Sequence, residues 1–271
     1  MKMNYKSARY ARAAAIGCLL AGMTLTAACG HARGEADNAA ATPERPDKAL
    51  SSLMQSICDD DAAAFASLCD YPLPRRYPLR EIRDSAMMID YFPILIDANL
   101  RDAVGRADLD DWKFYGWRGW SLGDSTLLWF DDGLQFVDYE SSAESALRKM
   151  LAREEILSLL PSLRGDWTPV ETLVEADGDR IFRIDSNGDV YRLLEYRNFD
   201  DMRGNPMLTL TGNATSEGSA GYVTYLFADS TGMKAEYSPD AVPPVRIIFT
   251  APGNDAKPME VHRGYWRDYL R

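Results

Sequence analysis

Histidine is nearly missing from this chain: His31 and His262 are the two found in 271 residues. With no Cys/His grouping among four cysteines, a zinc centre is excluded. His262 is read as a structural residue, with no nucleophile elbow expected to set a serine against it. Long apolar runs are also missing. The one charge-free stretch near the N-terminus, Ala13 to Ala28, is shorter than the roughly 20 residues a helix needs to cross a bilayer core. Cations are in deficit, with 30 Lys and Arg against 41 Asp and Glu. The resulting net charge of −11 repels nucleic acid and anionic headgroups.

What is present at the start is an export pattern. Lys2, Lys6, Arg9 and Arg12 precede the apolar stretch, and no acid stands among them. The stretch ends Leu25-Thr26-Ala27-Ala28-Cys29-Gly30, which resembles the lipobox of bacterial lipoproteins. The resemblance implies that residues 1–28 are removed, that Cys29 is lipidated, and that the acyl chains tether the protein to a membrane. Gly30 stands where an inner-membrane retention signal has Asp, so the expected address is the outer membrane, facing the periplasm. Removing residues 1–28 takes four cations and no acid from a chain of charge −11, which leaves the mature part at −15. Contact with the membrane is expected through the lipid alone. The expected partner is a basic protein or a small-molecule ligand, not nucleic acid.

Residues 29–46 are rich in Ala, Gly, Pro and charge and have no large apolar residue, so they are read as a flexible tether. Cys58 and Cys69 are left for the folded part. In an oxidising compartment they predict one disulfide across a helical pair, Asp47 to Ile57 and Asp59 to Leu68. Tyr71-Pro72-Leu73-Pro74 and Tyr77-Pro78 predict an extended connection. Arg80 to Val104 then carries helical spacing, divided or kinked at Pro93.

Aromatic runs at Trp112–Ser121, Thr126–Phe130 and Leu134–Tyr139, separated by Gly123-Asp124 and Asp132-Gly133, predict a three-strand meander. A helix from Ser142 to Leu160 follows, with Leu147, Met150, Leu151, Ile156 and Leu159 near one face. Asp84-Ser85, the segment Asp90-Tyr91-Phe92-Pro93-Ile94-Leu95-Ile96-Asp97, Trp117-Arg118-Gly119-Trp120 and Leu127-Leu128-Trp129-Phe130 together resemble exported domains of the nuclear-transport-factor-like, cystatin-like superfamily. That resemblance implies a helix lying across a curved antiparallel sheet. It does not imply an activity, because the superfamily holds enzymes and binding modules alike.

After Trp167 the pattern is β. Six runs, Arg180–Asp185, Asp189–Tyr196, Met207–Thr211, Tyr222–Ala228, Met233–Tyr237 and Val245–Thr250, predict a small sandwich or open barrel, with a hairpin at Asn187-Gly188. The expected fold class is α+β, with an α+β section at 47–165 and a β-rich section at 166–271. Asp177, Asp179, Asp185, Asn187 and Asp189 lack the spacing of a calcium loop and are read as turn residues, so no metal or cofactor is expected. The candidate binding surface is Trp117, Arg118, Trp120, Trp129 and Tyr139, where Arg118 could meet a carboxylate or phosphate bidentately; the alternative is that Arg118 pairs with an internal acid such as Asp124 and the aromatics fill the core. The leading expectation is a non-enzymatic binding module. The alternative is an envelope hydrolase or lyase using carboxylates alone.

Overall fold

The computed structural model describes residues 43–116, 119–123, 127–130, 133–217, 222–239 and 244–265, the side chains at 128, 130, 136, 217 and 222 excepted. These residues form two compact units. One comprises 43–73 and 83–139, the other 74–82 and 140–265. The division differs from a boundary near 165: the helix beginning at Ser142 belongs with the β-rich section.

In the first unit, α1 (Asp47–Cys58) and α2 (Ala62–Ser67) form the expected pair, and the Asp61 carboxylate caps α2 by accepting from Ala64 N–H at 2.9 Å. The predicted long helix is two, α3 (Ser85–Leu95) and α4 (Ala98–Arg106). Pro93 sits inside α3 without dividing it. The break comes at Asp97, whose carboxylate accepts from Leu100 N–H at 3.0 Å and starts the next helix. Leu50, Leu53, Ile57, Phe65, Met88, Phe92 and Leu95 are buried, and each such side chain taken from water contributes about 1.5–3 kcal/mol.

Four strands follow where three were expected: β1 (Trp112–Phe114), β2 (Trp120–Leu122), β3 (Leu127–Phe130) and β4 (Gly133–Val137), in that order, all antiparallel. The run Trp112–Ser121 is split because the chain reverses within it, with Tyr115 N–H donating to Gly119 C=O at 2.8 Å. The predicted Cys58–Cys69 disulfide is absent, and both thiols are free. Cys58 is exposed at the end of α1. Cys69 instead turns inward, its Sγ 3.4 Å from Phe65 O, while its backbone bridges to Leu134 of β4.

The second unit is a closed barrel of eight antiparallel strands, where a small sandwich or open barrel was expected. The strands are β5 (Thr168–Glu175), β6 (Ile181–Asn187), β7 (Val190–Tyr196), β8 (Leu208–Glu217), β9 (Tyr222–Ala228), β10 (Lys234–Tyr237), β11 (Arg246–Thr250) and β12 (Lys257–Gly264). Each strand pairs with the next, and β12 closes the ring on β5 from Val261↔Glu175 to Gly264↔Thr172. The two strands that close the ring are the two missing from the sequence reading. The β6–β7 hairpin falls one residue later than Asn187-Gly188. Asn187 pairs with Val190, and Gly188 takes positive φ at the first loop position, the arrangement of a type II′ turn.

Alternation fixes what the barrel encloses. Leu173, Phe182, Ile184, Leu193, Leu210, Phe227, Ala235, Tyr237, Ile247, Phe249 and Val261 form one buried cluster drawn from all eight strands. The opposite faces of β5, β6 and β7 send out Val174, Ile181, Leu194 and Tyr196, which pack with Ile156 and Leu159 at the end of α5 (Ser142–Ser158). The face α5 buries is more polar than its leucine stripe predicts. Glu144, Glu155 and Ile156 are buried, whereas Met150 is exposed.

Candidate functional site

In an up-and-down barrel alternate loops gather at opposite ends. The β5–β6, β7–β8, β9–β10 and β11–β12 connections share one end, and every residue of them is described. There β12 is shared out along its length: residues 257–260 pair with β11 and residues 261–264 with β5. Residues 257–260 therefore have no strand partner on the β5 side beyond the bond from Ala176 N–H to Glu260 C=O, 2.9 Å. A cleft of about 540 Å³ occupies this end.

Its composition follows from strand parity. Two residues on from Leu173 and Leu193 lie Glu175 and Glu195, and two residues before Phe182, Ala235 and Val261 lie Arg180, Met233 and Met259. Met233, Phe249 and Met259 make an apolar floor continuous with the barrel core. Glu175, Asp177, Arg180, Glu195, Lys257 and Glu260 make a charged wall. Arg180 spends its fork on Glu175, with Nε donating at 3.0 Å and Nη2 at 2.7 Å, and reaches Glu195 Oε1 through Nη1 at 3.3 Å. That guanidinium holds the Glu175 carboxyl below its ordinary range. The volume falls in the range of small-ligand sites, while the lining, six charged residues in ten, is more polar than such sites usually are.

A second polar cluster lies on the outer face of the barrel under α5, and it is sealed. Arg183 donates from Nε to Asp185 and from Nη1 to Glu155, both at 2.6 Å, and Arg192 Nε reaches Asp185 at 2.9 Å. Glu155 Oε1 also takes hydrogen bonds from Tyr77 at 2.8 Å and Thr172 at 3.2 Å. Burial holds the Glu155 carboxyl above its ordinary range, an effect that Arg183 opposes. Arg183 and Asp185 are fully buried, so no substrate reaches this group. It clamps α5, β5, β6, β7 and segment 74–82 together.

Of the residues singled out in the sequence, Trp117, Arg118 and Cys29 lie outside the described residues. Trp120 and Trp129 stand opposite each other on β2 and β3. Trp129 is buried, and half-buried Trp120 has the Arg45 guanidinium 6.0 Å from its ring. Arg45, placed in the tether by its composition, also donates to Leu109 C=O at 2.6 Å, so the folded part begins earlier than expected. The Tyr139 hydroxyl donates to Asp97 at 2.6 Å, and burial with that bond pushes it up to about 12. Among the described residues no group of His, Cys, Asp and Glu is placed to hold a metal.

Two features escaped sequence reasoning. Gly119-Trp120-Ser121-Leu122-Gly123 does have Gly-x-Ser-x-Gly spacing, contrary to the expectation of no elbow. Ser121, however, lies within β2, buried, its Oγ 3.3 Å from Gly123 O, and not at the strand-to-helix turn that an elbow requires. His262 is exposed on β12, in the other unit. The second missed feature is the cleft itself. Its signal was the pair of unread strands: once Glu175 and Met259 are on strands, parity turns both inward.

No protein-family model matches this chain, and no curated protein and no solved structure matches it significantly. The class defined by fold and site is a closed eight-stranded up-and-down barrel carrying a ligand-sized cleft at one end.

Proposed function

We propose that this chain is a membrane-tethered envelope lipoprotein whose barrel is a non-enzymatic binding module, taking a small ligand at its open end. The observation that carries the reading is the cleft of about 540 Å³, with Met233, Phe249 and Met259 beneath a charged wall. Eight strands enclose a barrel wide enough to be filled by side chains or to hold one small ligand. Here the middle is filled and the end is left for the ligand. The carboxylates of the wall and of the sealed cluster are mostly tied to arginines, which suits recognition better than acid–base turnover.

The anchor rests on Lys2 through Cys29 and their likeness to a lipobox. Cys29→Ser is expected to abolish palmitate incorporation and to leave an unprocessed precursor. Ligand binding is tested with N-phenyl-1-naphthylamine, a neutral fluorescent probe, titrated into the mature protein. Saturable one-to-one enhancement that Met259→Glu abolishes supports the reading. No saturable signal, or one indifferent to Met259→Glu, overturns it.

A further inference from the structure

The charge layout of the cleft points to the kind of ligand, an inference that rests on reading the barrel end as a binding site. Glu175 takes two of the three hydrogen bonds Arg180 gives to the wall. Glu195 receives the third, long at 3.3 Å and on Oε1 alone. Its Oε2 has no hydrogen-bond partner among the described residues, yet the side chain is 13% exposed. That oxygen is not one of the buried atoms left without a partner, so it faces the water of the cleft, the side from which a ligand would approach. Glu260 is neutralised by Arg246 at 2.9 Å on the exposed rim. Glu195 and Asp177 then remain against a single cation, exposed Lys257, which has no ion pair among the described residues.

We infer that the ligand is an organic cation with an apolar body, its ammonium group meeting Glu195 Oε2 and its hydrocarbon part lying on Met233, Phe249 and Met259. An ammonium gives the wall the charge and the donor that Arg180 does not supply. The floor suits the same ligand, because a phenyl face attracts a cation and thioethers are polarizable and adaptable in shape. An anion of equal size would have to lie beside Glu195 and Asp177 while Arg180 is already engaged by Glu175.

The test is calorimetric titration of the mature chain with three probes of one shape and different charge: 4-phenylbutylamine, 4-phenylbutanol and 4-phenylbutyrate. The amine is expected to bind about tenfold tighter than the alcohol and the butyrate weakest, as one charge-assisted hydrogen bond implies. Glu195→Gln, isosteric and uncharged, should bring the amine's affinity to within about twofold of the alcohol's, as loss of the charge-assisted bond implies. Lys257→Glu, at an exposed position, should tighten the amine a few-fold. If the alcohol binds and the amine gains nothing, or Glu195→Gln leaves the amine unaffected, the cation assignment is overturned and the binding reading survives. If none of the three binds and N-phenyl-1-naphthylamine also fails, both fall.

Discussion

Glu155 shows how much one buried carboxylate can be asked to hold. Its Oε1 accepts from Arg183, Tyr77 and Thr172, groups on three different parts of the chain. Removing it leaves the fully buried Arg183 short of a counter-charge, so Glu155→Ala should cost about 3–5 kcal/mol in urea denaturation. The double variant Glu155→Leu with Arg183→Met removes one charge of each sign and leaves the Asp185–Arg192 pair intact. It should be less destabilised than Glu155→Ala. A double variant as unstable as the sum of its singles would show that the two residues act independently. The cysteines make a second contrast at this scale. Burial pushes the Cys69 thiol up to about 12, whereas Cys58 is exposed. Iodoacetamide at pH 8 should therefore modify Cys58 and spare Cys69 until denaturant is added. Equal labelling of both in the native protein is the contrary result.

Among the elements, the β8–β9 pair sets the tightest condition. A Cβ added at Gly212 would lie 1.7 Å from Leu226 O and 2.8 Å from Phe227 Cα, and backbone cannot move aside as a side chain can. Gly212→Ala is thus expected to destabilise by about 3 kcal/mol, near the upper end of ordinary overpacking, with the melting temperature as the measure. Legibility in the sequence followed the same physics. α2 could be read from its cap at Asp61, and so could strands such as β9, whereas the cap at Asp97 that starts α4 was passed over. β5 was missed because Pro169, Glu171 and Thr172 interrupt its apolar pattern, and β12 because Lys257, Pro258, Glu260, His262 and Arg263 make it read as loop. Of those residues Lys257, Pro258 and Glu260 line the cleft and Thr172 joins the sealed cluster, so part of the functional candidate was hidden by the residues that make it one. The aromatic runs of the first unit drew attention because tryptophan is conspicuous, yet Trp112 and Trp129 are core residues.

At the scale of the molecule, the second unit is assembled from separated stretches of sequence. Segment 74–82 precedes residues 83–139 of the first unit but belongs with the barrel. It brings Arg75, paired with buried Glu144 at 2.5 and 2.6 Å, and Tyr77, which reaches Glu155. Residues 140–271 expressed alone should therefore be markedly less stable than a chain in which 74–82 is joined to 140 through a flexible linker. Equal thermal stability of the two would mean that the segment is dispensable.

The ring closure between β5 and β12 also bears on how the chain reaches this state. Residues 175 and 261 must meet before every strand of the barrel has a neighbour on both sides, and so long a loop is closed late and slowly. Until β12 arrives, the sheet has two bare edges, on β5 and β11, each offering unpaired backbone groups to another copy of itself. The finished barrel keeps only the short stretch at residues 257–260 without a strand partner on one side. A chain stalled or truncated before residue 257 is accordingly the aggregation-prone form of this protein, and the last eight-residue strand is what converts a sticky sheet into a self-contained one.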